Sequence, residues 1–304
     1  MNSAAQPFFY GGQAVLEGVM MRGPDAWAVA ARRPDGEIAL RRDPLHARVY
    51  RARLFRLPFF RGIAGLYEAM HLGGTAMIWA ANVRARAEDL EIGPVAVTLT
   101  ILASLAFSIA LFFGLPLLAG GALTRHGGSL AFTAVEGLTR AALLVLYLVV
   151  ISWLPDVRRL FMYHGAEHKT INAFESGAPL TVAGVRPQSR LHPRCGTGFL
   201  VEVVVVSIFV FALVGRPALP LLILSRLVLV PVIAAIAFEL IRLGARFRAN
   251  PVVGKLLAPA LGAQLLTTRE PDDSMIEVAL AAFVAVREGL PALPVATAAQ
   301  ALVV

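Results

Sequence analysis

The amino-acid sequence predicts an α-helical membrane protein with about four transmembrane helices, an N-terminal cytoplasmic α+β domain, interfacial helices and a cytoplasmic loop that contains His and Cys. Of its 304 residues, 57% are hydrophobic and 16% are charged, and a soluble protein of this size carries more charge. Long uncharged runs alternate with short basic segments, which is the pattern of a multi-pass membrane protein. The single cysteine excludes an intramolecular disulfide bond.

The charge pattern divides the chain into segments. They are an α+β domain at 1–57, an interfacial helix at 58–91, transmembrane helices 1 and 2 at 92–155, the His/Cys loop at 156–197, transmembrane helices 3 and 4 at 198–243, cytoplasmic helices at 244–288 and a disordered tail at 289–304. The sequence has no internal repeat and no nucleic-acid-binding motif, so we expect no nucleic-acid partner.

The distribution of basic residues predicts the orientation. The inner segments carry 12, 6 and 6 Lys and Arg residues, whereas each outer turn carries one, Arg125 or Arg216. The positive-inside rule therefore predicts a bacterial cytoplasmic (inner) membrane protein with both termini in the cytoplasm. The net charge of +8 comes mostly from arginine and favours contact of the flanks with anionic lipid of the bilayer.

Glycines and a turn signal mark the N-terminal domain. The tripeptide Pro34-Asp35-Gly36 lies between two β-prone runs and predicts a hairpin. Gln13 and Glu17 lie among glycines, where backbone can approach another group closely. One hypothesis is that this loop delivers Glu17 to the His/Cys loop, and the alternative is a strand end with a solvated carboxylate.

The apolar stretch at 58–83 is almost long enough to span a membrane. If it spanned, the arginines of 32–56 would lie outside the cell, against the positive-inside rule. We therefore expect a helix that lies on the membrane, with Trp79 at the level of the lipid headgroups.

Ionisable residues within the predicted spans indicate a buried cluster. Glu136 and Arg140 are spaced i, i+4 in the favourable order, and Arg226 is predicted at a similar depth. Because such residues are costly inside a membrane, we expect either an ion-pair cluster that joins helices or a path for an ion or substrate. Glu202, near the inner start of the third span, could face the His/Cys loop.

The stretch YHGAEHKT contains the most specific chemical signal. On a helix, His164 and His168 share one face, and Glu167 points to nearly the same side. The order H-x-x-E-H is the inverted form of a helical zinc motif in which the Glu acts on bound water. His192 and Cys195 could complete a zinc site. The alternative is a polar loop at the membrane surface, with its histidines hydrogen-bonded to backbone.

Four sequence blocks carry a resemblance to a known family. In chain order they are GGQAVLEGVMMRGP, YHGAEHKTINAFE, HPRCGTGF and TTREPDDSMIEVA. Together they resemble the bacterial YqhQ family of uncharacterised integral membrane proteins, and the resemblance covers nearly the whole chain. That family is described as predicted metal-dependent enzymes, so the resemblance implies an integral membrane protein with a metal site at the same His and Cys residues.

Three functions remain open at this point. In a zinc-dependent hydrolase, Glu167 would be the general base, and the substrate would be a membrane protein or lipid. If His164, His168, His192 and Cys195 all bound one ion, the site would be closed, and closed sites are structural. The chain would then be an accessory protein that binds another membrane complex, such as a protein translocon or transporter. An oligomeric transporter using the charged cluster is the third alternative.

Overall fold

The computed structural model describes residues 10–45, 55, 57–87, 93–247 and 250–288. The predicted disordered tail and the parts of other predicted segments at 1–9, 46–54 and 88–92 lie outside the described residues. The elements in chain order are β1 Gly11–Val15, β2 Gly18–Arg22, β3 Ala26–Arg32, β4 Ile38–Pro44, α1 Phe60–Ala87, α2 Pro94–Ile109, a π-helical turn at Ala110–Gly114, α3 Leu115–Leu123, α4 Ser129–Ile151, α5 Pro155–Glu175, α6 Val182–Val185, α7 Gly196–Val214, α8 Leu219–Val228, α9 Val230–Arg246, α10 Pro251–Thr267 and α11 Asp273–Glu288.

The N-terminal strands form a small antiparallel sheet in the order β1-β2-β3-β4. The predicted hairpin at Pro34-Asp35-Gly36 joins β3 and β4, and Gly36 adopts φ 91° there, a left-handed conformation that costs glycine little. Alternate side chains point to opposite faces of a sheet, and both faces are covered here. One face packs on α5 and α11, and the other packs on α1.

Helix α1 is 28 residues long and packs along the face of the sheet opposite to α5 and α11. Trp79 contributes to this packing, beside the buried side chains of Leu72 and Ala76. Trp79 is only partly buried there, so its position at the level of the lipid headgroups stays a prediction. The two charged residues in the first half of the helix are paired, Arg61 with Glu239 and Glu68 with Arg22.

Among the described helices, three are long and apolar enough to cross a membrane. They are Pro94–Leu123, Ser129–Ile151 and Gly196–Val214. The pair α8 and α9 is bent by 41° and makes a fourth candidate if it is one broken span. By length and composition the described helices thus offer three or four spans where about four were predicted, and α1 is not among them. These apolar helices indicate membrane association.

The first span contains a local change of helix type with a simple cause. In an α-helix, the Phe112 carbonyl would accept a hydrogen bond from the residue four positions later, and that residue is Pro116, which has no N–H. The chain forms a π-helical turn here, and Arg140 Nε donates to the Phe112 carbonyl oxygen over 2.9 Å. A side chain from a neighbouring helix thus donates to a carbonyl whose α-helical donor is replaced by a proline.

The ionisable residues predicted to cluster inside the spans do so. Glu136, Arg140 and Arg226 are 1%, 5% and 2% exposed. Arg226 donates from Nε and Nη2 to the Glu136 carboxylate over 3.0 and 2.6 Å, and Arg140 Nη2 donates to the same carboxylate over 2.8 Å. The ring of Phe211 lies beside both guanidinium groups. The cluster joins α4, α7, α8 and the π-helical turn.

The segment expected to be a His/Cys loop is largely helical. Helix α5 begins at Pro155, only a few residues after α4 ends, and runs for 21 residues. Proline suits the first turn of a helix because the N–H it lacks would have no partner there. The loop proper follows α5 and returns to the start of α7.

Helix α11 was predicted only as a cytoplasmic helix. It is a central element of the part of the structure that contains the sheet and α5. Met275, Ile276 and Phe283 are fully buried between the sheet and α5. Glu277, on the opposite side, is half-exposed and accepts a hydrogen bond from Arg32 over 2.9 Å. The C-terminal helix therefore fixes α5, which carries the histidines, against the N-terminal sheet.

Candidate metal centre

Three side chains from two helices converge on one point. His164 and His168 are one turn apart on α5, with ring centroids 4.4 Å apart. Cys195 is the N-cap residue of α7. One ligand atom from each residue lies within 4.8 Å of the others, and Cys195 Sγ is 3.3 Å from His164 Nε2. A tetrahedral zinc ion with ordinary bond lengths separates such N and S ligands by ~3.5 Å, so the arrangement fits a transition metal.

The backbone fixes which nitrogen of each imidazole faces the cluster. His164 Nδ1 is 2.9 Å from the Thr267 carbonyl oxygen, and His168 Nδ1 is 2.6 Å from the Arg190 carbonyl oxygen. A carbonyl only accepts hydrogen bonds, so each Nδ1 must carry the proton and donate it. Each neutral ring then presents an unprotonated Nε2, which is the form that binds a metal. Partners of this kind orient histidine ligands in metal sites.

Glu167 lies beside the three ligand residues and is 4% exposed. Its Oε2 is 4.0 Å from His164 Nε2. Burial raises the pKa of the Glu167 carboxyl to about 7, while the positive charge that His164 carries when it is protonated and a hydrogen bond from the Gly12 backbone oppose the shift. A carboxyl group with a pKa near 7 can accept or donate a proton at physiological pH. It is therefore suited to acid–base chemistry.

A small cavity of about 90 Å³ opens beside this cluster. It is lined by Tyr10, Gly11, Gly12, His164, Glu167, His168, Ile171, His192, Arg194, Cys195 and Gly196. Gly12 lets β1 approach the carboxylate, since a Cβ at this position would lie 2.6 Å from the Met20 carbonyl oxygen and 2.9 Å from Glu167 Cγ. A Cβ at Gly11 or Gly196 would meet no atom within 4 Å. At these glycines the cavity is therefore lined by main-chain atoms.

His192 lies next to the cluster without belonging to the group of three converging ligands. Its ring centroid is 5.6 Å from that of His168, and its Nε2 is 3.7 Å from Glu175 Oε2. Its main chain exchanges two hydrogen bonds of 2.9 Å with the Gln264 side chain. His192 thus anchors the loop and lines the cavity.

The remaining candidate residues lie away from the three ligands. Glu17 binds Arg159 through two hydrogen bonds and accepts a third from Tyr163, so it contacts the segment predicted as the His/Cys loop but none of the three converging ligands. The Arg159 guanidinium lowers the pKa of Glu17 below its ordinary range. The side chain of Gln13 donates to the Ala69 carbonyl of α1 over 3.0 Å.

Two further candidates occupy other parts of the spans. Glu202 is half-buried in α7 and does not line the cavity. The cluster of Glu136, Arg140 and Arg226 lies among the spans and contributes no residue to the cavity.

Several contributors to the site have no sequence signal of their own. Thr267 and Arg190 act through backbone carbonyls, and Gln264 through a side-chain amide. Gly165 lets the 267–270 segment approach α5, because a Cβ there would lie 2.1 Å from the Arg269 carbonyl oxygen. Only this glycine, inside a helical motif, could have pointed to a close backbone contact.

The fold and the site together define a membrane-associated helical protein with a His, His and Cys cluster beside a small sheet. The family model described as "Protein of unknown function (DUF1385)" matches residues 57–289. The "Uncharacterized protein YqhQ" of Bacillus subtilis (strain 168) is 37% identical over 298 residues, which is 93% of each chain. The chain therefore belongs to the YqhQ family. No solved structure matches it.

Proposed function

We propose that this protein is a metal-dependent hydrolase at the surface of the bacterial cytoplasmic membrane. The convergence of His164, His168 and Cys195 next to a buried Glu167 carries the proposal. Three protein ligands with a cavity beside them match catalytic zinc sites, in which a fourth position stays open, whereas structural sites have four protein ligands. Zinc is the proposed ion because imidazole and thiolate together suit it.

Each residue has a distinct part in this proposal. The two imidazoles and the Cys195 sulfur would hold the ion. Bound zinc lowers the pKa of a coordinated water to about 7 and polarises a substrate carbonyl or phosphoryl group. Glu167 would accept the proton of the attacking water and return it to the leaving group.

The position of the site limits the substrate. Cys195 immediately precedes α7, a candidate span, and α5 begins four residues after α4, another candidate span. The cavity therefore lies close to the polar ends of two apolar helices. A membrane protein or a lipid whose reactive bond reaches the membrane surface is the substrate class that fits this position. The excess of basic residues on the same side favours the cytoplasmic face, with both termini inside.

Metal content tests the first step. Purified wild-type protein should carry one transition-metal ion per chain, and the double variant His164→Ala, His168→Ala should carry none. His126→Ala is the matched control, because this histidine is exposed in the turn between α3 and α4. Equal, sub-stoichiometric metal in all three proteins would overturn the metal site.

Cobalt substitution tests whether the site is open. A Cys195 ligand should give a sulfur-to-cobalt charge-transfer band that Cys195→Ser removes. An open coordination position should let acetohydroxamic acid change the cobalt spectrum, while a closed site with four protein ligands should leave it unchanged. An unchanged spectrum would count against catalysis.

Glu167→Gln separates catalysis from structure. The amide keeps the shape of the side chain but cannot act as a base. In a hydrolase, this variant should keep its metal and thermal stability while the rate falls on the order of 10²–10⁴-fold. The readout is complementation of a deletion strain, with Glu277→Gln as the control on an exposed helix face.

A structural metal site is the second candidate, and one observation favours it. The cluster and its carbonyl partners tie α5, the loop before α7 and the end of α10 together. The protein would then be an accessory subunit whose cytoplasmic side binds another membrane complex, such as a translocon or a transporter. In that case Glu167→Gln complements fully, while His168→Ala loses the metal and unfolds.

A further inference from the structure

One face of helix α1 is apolar and exposed, although the opposite face is buried against the sheet. Tyr67 and Met70 are 61% and 70% exposed, and Met77 and Ile78 are 37% and 41% exposed. Tyr67, Met70 and Met77 are spaced by three and seven residues and Ile78 follows directly, so all four share one side of the helix. His71 and Gly74 are exposed in the same stripe. The stripe contains no Lys, Arg, Asp or Glu.

The charged residues of α1 lie off this stripe. Arg61 is bound by Glu239 of α9, and Glu68 lies 3.3 Å from Arg22 of β2. The helix therefore has two apolar sides with its ion pairs between them. A surface helix in contact with water on one side carries charged and polar residues there, whereas the stripe of α1 has no charged side chain and only Tyr67 and His71 with a polar group. Its exposed stripe is suited to a nonpolar environment.

Helix α1 is attached directly to the membrane-spanning part. Gly62 and Gly65 let the helix approach the ring of Phe238 in α9, with a built Cβ at Gly62 only 3.1 Å from Phe238 Cβ. Arg61 Nε donates to Glu239 over 2.7 Å at the same contact. Helix α9 itself exposes Leu240 and Leu243. The apolar surface of this candidate span thus continues onto α1.

We propose that α1 lies in the headgroup region of the bilayer with the stripe Tyr67–Ile78 facing the acyl chains. The bilayer is chosen as the occupant because the stripe continues the surface of a candidate span and because Tyr67 has an amphipathic ring of the kind found at membrane interfaces. An interfacial helix of this type is buried about 5–10 Å into the headgroup and acyl boundary. The sheet, packed on the other side of α1, is then held directly above the membrane. This inference does not depend on metal binding or catalysis.

Site-directed fluorescence tests the proposal on the full-length protein in nanodiscs of mixed zwitterionic and anionic lipid. Met70→Cys and Met77→Cys place a fluorophore on the stripe, and Glu37→Cys places it on the exposed β3–β4 turn. Protein without an added cysteine measures background from Cys195, which is buried. All three replaced side chains are at least partly exposed, and thermal unfolding of each labelled protein checks its fold.

Lipids with a nitroxide near the headgroup should quench the labels at 70 and 77 several-fold more than the label at 37. Iodide in the aqueous phase should give the opposite order. If iodide quenches the two stripe labels as strongly as it quenches the label at 37, the stripe lies in water and the proposal is overturned. Protection of both labels from both quenchers would also overturn it, since the stripe would then face protein, such as a second copy of this chain.

Discussion

Replacing Glu136 with glutamine is expected to destabilise the helical bundle more than removing an arginine that binds it. The carboxylate accepts three hydrogen bonds, two from Arg226 and one from Arg140. The wild-type cluster therefore holds two positive charges and one negative charge among buried groups. Glu136→Gln leaves two guanidinium groups without a counter-ion, whereas Arg226→Met leaves one balanced pair.

The two changes should differ clearly in free energy. Removing one partner of a buried ion pair costs about 3–5 kcal/mol, and Glu136→Gln removes the shared partner of two arginines, so we expect a loss of about 4–5 kcal/mol. Replacing a buried charge with an apolar side chain of similar size is far less costly when the remaining charges are balanced. For Arg226→Met, with Arg140 Nη2 still 2.8 Å from the carboxylate, we expect a loss of about 1–2 kcal/mol.

Unfolding of each purified protein in mixed micelles, followed by circular dichroism during titration with sodium dodecyl sulfate, measures both losses. The double variant Glu136→Gln, Arg226→Met gives the coupling between the two side chains. Equal losses for the two single variants would refute the charge argument. So would a loss for Glu136→Gln below about 1 kcal/mol, the size of an ordinary substitution.

Three other predictions concern the part of the chain outside the spans. Glu17→Gln should lower the unfolding free energy by about 1 kcal/mol near neutral pH, because its arginine partner is half-exposed. The pKa of the Glu17 carboxyl is lowered in the folded protein. Its contribution to stability is therefore present above the unfolded pKa and is lost as pH falls through the folded pKa. Thermal unfolding at several pH values measures this loss. Gly12→Ala should destabilise the protein, since its Cβ would lie 2.6 Å from a backbone oxygen, whereas Gly11→Ala, in open space, should be mild. In intact cells, an impermeant thiol reagent should label a cysteine at Arg125 and should not label one at Glu37.

Each of these predictions has a contrary outcome. A stability difference for Glu17→Gln that persists in strong acid would mean that the ion pair is not its source. Equal stability of the two glycine variants would show that β1 can move away from the carboxylate. External labelling at Glu37 would reverse the orientation and place the candidate metal centre outside the cytoplasm.

The sequence predicted the elements that depend on local pattern. Uncharged runs located the apolar helices that are candidate spans to within a few residues, since their length and composition are local properties of the sequence. The i, i+4 spacing placed His164 and His168 on one helical face. The turn tripeptide located the β3–β4 hairpin, because Pro and Gly restrict the chain to particular turn conformations.

Features that depend on tertiary contacts could not be predicted from the sequence. The carbonyls of Thr267 and Arg190 orient the two imidazoles, and every residue has a carbonyl, so no residue type marks them. Trp79 suits a membrane interface as well as a core, so its partial burial against the sheet could not be predicted from its residue type. The burial of α11 was missed for a similar reason, since its apolar side chains also suit an interfacial helix.

Glu167 offers the strongest physical argument between the two candidate functions. Burying a carboxyl group without a hydrogen-bonded cation is unfavourable, and the rise of the Glu167 pKa to about 7 reflects that cost. In the metal-free protein, glutamine or methionine at this position would avoid that cost, because neither carries a charge to desolvate. The carboxyl group is nevertheless enclosed within 4.0 Å of a ligand nitrogen and beside a cavity. The proposed proton-transfer role would account for this placement, since general acid–base catalysis requires a group whose pKa lies near the working pH.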